Sequence, residues 1–279
     1  MRGWRLGFGQ GALWNLSVED AIYGLSKMGY EVFELWMDHP SMFPYLDGKR
    51  ETSEILSLLK KNGINCTIHA PCHDMNIAGL NPWIRRESKL LLMKSVYLAA
   101  ELEAELVVIH PGRRTSLRIP DRIYIEKAIE SLEEVCQEAK ELGIRVGLEN
   151  TDSRPDQFAT TPEVMLELVD AINLQNVGIT FDAAHANTCS DPVNFLYQVI
   201  DRVIHVHLSD NTGPNSELFH LPLGEGNLDL VGILRLLVEH KYDGILIFES
   251  GAQDPIEGLT RNLEIIKKAE DAARKYVHS

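Results

Sequence analysis

Along the chain, short apolar runs alternate with longer stretches of helical period. Eight runs are rich in β-branched and apolar residues: 5–9 (RLGFG), 31–36 (EVFELW), 64–70 (INCTIHA), 106–111 (LVVIHP), 145–150 (RVGLEN), 177–182 (VGITFD), 203–208 (VIHVHL) and 245–250 (ILIFES). Their length and composition predict buried strands. Between them, apolar residues recur at helical spacing over 17–28, 52–62, 85–102, 121–142, 162–172, 192–200, 228–240 and 257–276. Ser17 with Asp20 three residues on, Thr161 before Pro162 and Asp191 before Pro192 are helix-start signals, and Gly29, Gly63 and Gly143 sit where helices should stop. Eight strand–helix units without a Ser- or Pro-rich linker predict one α/β domain over 1–279, a (β/α)8 TIM barrel. A doubly wound open sheet is the alternative.

The barrel reading gives the strand ends their meaning, because the loops after the strands converge on one face, where such barrels do their chemistry. Strand three ends at His69, four at His110, five at Glu149, six at Asp182, seven at His207 and eight at Glu249. All six are oxygen or nitrogen ligands. Taken singly, each has an ordinary reading: a hydrogen-bonded histidine, or a carboxylate paired with arginine. Taken together they do not, because apolar runs bring Glu149 and Glu249 to the mouth of the core and the strands supply few positive side chains. An ionised carboxylate in a dry interior needs a cation or loses its charge. A divalent metal is the economical partner. Glu, Asp and His without Cys suit Zn, Mn, Co or Fe, as one ion or more. His205 shares the face of His207 by the two-residue period and lies one layer lower, in a supporting position. Asp182 and His185 are expected to part, Asp182 ending its strand and His185 entering the loop above.

Charge and cysteine content narrow the setting. A net charge of -14 over 279 residues argues against indiscriminate binding of polyanions. No run is long enough to cross a membrane and no apolar leader stands at the N-terminus, so the expected location is cytoplasmic. Cys66, Cys72, Cys136 and Cys189 show no CxxC spacing and are expected as reduced thiols, Cys72 in a packing or loop role. The Glu-rich 126–142 segment reads as a solvated helix face.

The motifs "IHAP", "VVIHPG", "GLENT", "ITFDAAHA", "HVHLSD", "FHLPLGEGNLD" and "IFES" resemble the xylose isomerase-like barrel superfamily, which holds sugar isomerases and epimerases alongside endonuclease IV-type abasic-site nucleases. The resemblance runs from strand three to strand eight. It implies a metal quartet on Glu149, Asp182, His207 and Glu249. The nuclease pattern further implies His69 and His110 as ligands of a second metal bridged by Glu149, and His185 and His220 as ligands of a third. The third site should also include an Asp two residues before its His. That position is Leu218, with Glu217 beside it.

Two functional readings follow. In the favoured one, the protein is a metal-dependent isomerase or epimerase of a sugar or sugar phosphate, with Glu149 and Glu249 as both ligands and proton-transfer pair. His185 would contact a substrate hydroxyl, and Glu34, at the end of strand two, would do the same or form a structural salt bridge. Arg113, Arg114 and Arg154, with Arg118 nearby, could clamp a phosphate. Trp14, Trp36, Phe43 and Trp83 are pocket or packing aromatics. In the alternative, a zinc cluster hydrolyses phosphodiesters at abasic sites, and DNA is the partner. The strand-two loop lacks the basic tract that DNA would need. A third class, a non-catalytic binding barrel, leaves six polar strand ends without a role. A homo-oligomer is compatible with the sequence.

Overall fold

A computed structural model describes residues 3–214, 216, 220–250 and 255–277. Eight parallel strands close into a barrel in chain order, β8 pairing with β1. They are β1 (Arg5–Gly9), β2 (Val32–Trp36), β3 (Asn65–His69), β4 (Leu106–Ile109), β5 (Arg145–Glu149), β6 (Val177–Asp182), β7 (Val203–Leu208) and β8 (Ile245–Phe248). The helices are α1 (Val18–Met28), α2 (Phe43–Leu46), α3 (Thr52–Asn62), α4 (Pro82–Glu101), α5 (Asp121–Glu141), α6 (Pro162–Ile172), α7 (Ala183–Cys189), α8 (Pro192–Val199), α9 (Leu230–Glu239) and α10 (Pro255–Val277). The closed barrel excludes the open sheet.

The capping signals act as their chemistry requires. Ser17, Thr161 and Asp191 accept hydrogen bonds from first-turn amides, and Gly29, Gly63 and Gly143 hold the left-handed conformation that ends α1, α3 and α5. Helix α4 starts at Pro82, three residues before the expected Arg85, because Asn81 accepts from the Trp83 amide and caps it. His110 and Glu249 follow β4 and β8 by one residue. Glu34 is the third residue of five in β2, not its last.

Strand alternation divides the apolar residues between two places. Phe33, Leu35, Ile68, Val146, Leu148, Phe181, Val206, Leu208 and Phe248 join the helices in one large core. Inside the barrel, a separate apolar cluster consists of Val32, Ile245 and Ile247. Above that floor the interior turns polar: Glu34 and Thr67 are neighbours across β2 and β3, and Thr180 and His205 across β6 and β7. At the opposite, N-terminal end, Arg5 pairs with Glu105.

Small residues make room for this interior. A Cβ on Gly7 would lie 2.4 Å from Ile247 Cδ1 and 2.8 Å from Val32 Cβ, and one on Gly147 would lie 2.1 Å from Thr180 Oγ1. Gly147→Ala is therefore expected to destabilise the fold by about 1–3 kcal/mol. Thermal unfolding should show that loss, and Thr180→Ala, which removes the clashing hydroxyl, should recover most of it in the double variant.

Candidate active site

Four strands deliver one cluster of donors. Glu149 ends β5, Asp182 ends β6, His207 is the fifth residue of β7 and Glu249 follows β8; their donor atoms all lie within 4.8 Å of one another. His207 Nδ1 is 3.2 Å from Glu149 Oε1, 3.3 Å from Glu249 Oε2 and 3.9 Å from Asp182 Oδ2. Glu149, Asp182 and His207 are fully buried, whereas the Glu249 side chain is 19% exposed. Among the described residues, no Lys or Arg pairs with these three carboxylates, and no hydrogen bond reaches Asp182 Oδ2. Buried acceptors without donors need an explanation. Three converging carboxylates and an imidazole fit a divalent cation.

The register between β6 and β7 sets up this meeting. Ile179 pairs with Val203, but a shift at Thr180 moves the ladder by one residue, so that Asp182 lies beside His207. Without the shift Asp182 would face Val206, whose side chain points to the opposite side of the sheet.

Asp182 is also the N-cap of α7, its Oδ1 accepting from the His185 amide at 2.6 Å. His185 thus lies in the first turn of a helix rather than in the expected loop. The reason is the cap: Asp182 satisfies an amide that would otherwise lack a partner. Asn150, which the motif reading passed over, ties the two together. Its side chain accepts from the Asp182 amide and donates to the Asp182 carbonyl, and its own carbonyl accepts from His185 Nδ1 at 2.9 Å. That bond leaves His185 Nε2 for the cavity. The available signal was an Asn directly after the strand-ending Glu149.

Glu34 stands behind His207. Its Oε1 lies 3.0 Å from His207 Nε2, while Oε2 accepts from Thr67 at 2.8 Å and lies 2.9 Å from His205 Nε2. A carboxylate on the far nitrogen of a ligand imidazole orients the ring and raises its basicity. A second donor group shares Glu149: His69 Nε2 and His110 Nε2 lie 3.2 and 3.0 Å from Glu149 Oε2. His69 Nδ1 donates to the Ala70 carbonyl, which aims Nε2 inward. His220 packs against His185 with ring centroids 5.3 Å apart and is tied to Ser209 Oγ. Glu217 and Leu218 lie outside the described residues.

The model of the family described as xylose isomerase-like TIM barrel matches residues 23–269. The chain belongs to the xylose isomerase-like TIM barrel family. It is 31% identical over 259 residues to the uncharacterized protein MJ1311 of Methanocaldococcus jannaschii, covering 90% of this chain and 85% of that one. Fructoselysine 3-epimerase of Shigella flexneri is 23% identical over 82% of this chain and 83% of its own length. A probable endonuclease 4 of Persephonella marina is 20% identical over 74% and 77%. Among solved structures, a D-tagatose 3-epimerase-like protein superposes with a TM-score of 0.86 at 28% identity, covering 98% of this chain and 99% of that one. The family thus includes relatives named as sugar epimerases and as nucleases.

In this member of the family Glu149 and Glu249, with His69, His110, His185 and His220, line a cavity of about 590 Å³, within the range of small-molecule sites. Its wall includes Gln10, Trp36, Cys72, His73, Asp152 and Arg154. Of the aromatics considered from sequence, Trp36 lines the cavity; Trp14 packs edge-on against it, and Phe43 and Trp83 are exposed. The three arginines do not converge. Arg114 is bound to Asp121 and to the carbonyls of Pro155 and Gln157, Arg113 does not line the cavity, and Arg154, which does, is held by Asp152 at 2.7 and 2.8 Å. His73 was not foreseen. It sits two residues beyond Pro71 in the loop after β3, where its amide, its ring and the Cys72 amide all donate to Asp38 Oδ2. With three donors on that oxygen, Asp38 clamps the loop. Burial, and then Asp38 and Glu149, push the Cys72 thiol well above its ordinary value, so it meets the cavity as a neutral group. No helix among the described residues is long and apolar enough to cross a membrane.

Protonation follows from this geometry. Burial would raise the Glu149 carboxyl, but the charges of His110 and His207 outweigh it and hold the group well below its usual range. Burial opposes a charged His69, yet its hydrogen bond and charge pairing with Glu149 lift it to about 9; Glu249, Glu34 and Glu149 likewise raise His207. Asp182 is raised, by burial first and then by the charge of Glu149, against the pull of His185.

In the metal-free protein His207 therefore carries a proton at neutral pH, and a cation that binds there must displace it. Manganese binding is expected to release protons, and its apparent affinity to fall as pH falls; calorimetry in buffers of different ionisation enthalpy measures both. Glu34→Gln is expected to weaken manganese binding by roughly 10–100-fold, read by chelator competition.

Proposed function

We propose that the protein is a divalent-metal-dependent epimerase or isomerase of an unphosphorylated sugar. The observation that carries this reading is the convergence of Glu149, Asp182, His207 and Glu249, of which Glu149 and Glu249 line a cavity of small-molecule size. The sugar-epimerase names of the fructoselysine and tagatose relatives support it. A cation held by the quartet supplies Lewis-acid polarisation of the sugar carbonyl. The residues do the rest. Glu149 and Glu249 come from β5 and the end of β8, each within 3.3 Å of His207 Nδ1. With the reacting carbon between them, one carboxylate takes the proton adjacent to the carbonyl, and the other delivers a proton to the opposite face. Glu249, the more exposed of the pair, is the group that exchanges its proton with solvent. His185 Nε2 binds a substrate hydroxyl, and Trp36 offers an apolar face to the ring. Glu34, held by Thr67, His205 and His207, orients the His207 ring.

A phosphate group would be poorly served. The described lining contains Arg154 as its guanidinium, and Asp152 already neutralises it, while Glu34, Glu149 and Glu249 make the floor acidic. Like charges disfavour a dianion there.

Glu149→Gln and Glu249→Gln are each expected to lower turnover by about 10²–10⁴-fold with the fold intact. The direct assay incubates the manganese-loaded protein with a panel of ketohexoses in D2O and follows deuterium entry beside the carbonyl by NMR. A second reading, hydrolysis of phosphodiesters at abasic sites, draws on the second donor group, His69, His110 and Glu149. Incision of an abasic duplex, with no deuterium entry into any ketohexose, would establish it in place of the first.

A further inference from the structure

Helix α4 carries large apolar residues on both its buried and its exposed side. Its inner side carries Leu92, Val96 and Ala99, fully buried among β3, β4 and α5. Its outer side carries Trp83, Ile84, Leu90, Leu91 and Tyr97, whose exposure runs from 73% at Trp83 to 37% at Leu91. Trp83, Leu90 and Tyr97 recur every seven residues, as do Ile84 and Leu91, so at 3.6 residues per turn they share one arc of the helix. Leu80, just before the helix, extends the strip. Exposed apolar patches of this kind, set among charged residues, mark interaction surfaces.

We propose that a second copy of this chain covers the strip, the two α4 helices lying antiparallel about a two-fold axis that passes between Leu90 and Leu91. Charge decides both the partner and the direction. Glu87 and Lys94 lie on the same exposed arc, and among the described residues neither has an ion-pair partner. The two-fold places Glu87 against Lys94 of the partner subunit, Leu90 against Leu91 of the partner subunit, and Ile84 against Tyr97 of the partner subunit. A surface that pairs with itself must be self-complementary in this way. A parallel arrangement would set Glu87 against its own copy and Lys94 against its own. The acids flanking the strip on α5 are already engaged, Glu134 by Lys89 at 2.6 Å and Glu138 by the Tyr97 hydroxyl. The inference is independent of the chemistry in the cavity.

Sedimentation velocity and light scattering on the full chain test it. The expected mass is twice that of the 31.4 kDa chain. The double variant Leu90→Glu/Leu91→Glu should run as a monomer with an unchanged far-ultraviolet spectrum. Glu87→Lys and Lys94→Glu should each raise the dimer dissociation constant roughly tenfold, and their combination should restore it. These exposed charge changes decide the matter even if the leucine variant fails to fold. A monomeric wild-type chain at its highest soluble concentration would overturn the proposal, as would a dimer that survives the leucine variant, or charge reversals that fail to compensate.

Discussion

Three carboxylates and an imidazole share one small volume at the mouth of the barrel, and most other features of the interior answer to that. Glu149, Asp182 and Glu249 repel one another and are starved of water; left alone they would unfold the mouth or lose their charge. The protein answers with histidines, not lysines or arginines. His69, His110, His185 and His207 crowd around Glu149 and stabilise its charge while remaining able to give up their protons. Permanent cations would have occupied the site themselves. Histidines leave it open to a metal.

The same constraint shapes the layers beneath. Most (β/α)8 barrels fill their interior with bulky branched side chains. Here Val32, Leu106, Ile245 and Ile247 share the interior with Glu34, Thr67, Thr180 and His205. Glu34 carries a buried charge of its own, faced by His207 and hydrogen-bonded by Thr67 and His205. The interior is therefore a chain of carboxylate and imidazole from the middle of β2 to the mouth, and the apolar core that stabilises the fold lies outside the strands, under the helices. Separating the two lets the inside serve chemistry without emptying the core.

The eight strands and most helix boundaries could be read from the chain because their causes are local: apolar period, caps within three residues, glycine at helix ends. The strand-end donors could be read too, since strand order alone carries them to one face of a barrel. Glu34 could not be assigned this way. Its imidazole partners are 171 and 173 residues distant, and nothing near it in the chain says that its carboxylate meets them. Nor could the arginines. Arg113, Arg114 and Arg154 look alike in a line of text, but Asp121 and the carbonyls of the next loop withdraw Arg114, and Asp152 neutralises Arg154. His73 and Asn150 went unnoticed because a loop residue and a neighbour of a ligand carry no periodic signal.

By itself, then, the sequence determined the number and order of the strands, the face on which the polar strand ends gather, and the donor types that meet there. These follow from side-chain chemistry and from periods of two and 3.6 residues. The tertiary structure decided how those donors are grouped. A one-residue shift between β6 and β7 sets Asp182 beside His207, the cap of α7 turns His185 inward, and barrel closure brings Glu34 against His207. It also decided that the apolar outer arc of α4 faces away from the core. Distances of a few ångströms between residues far apart in the chain are set by closure and register, which no local pattern records.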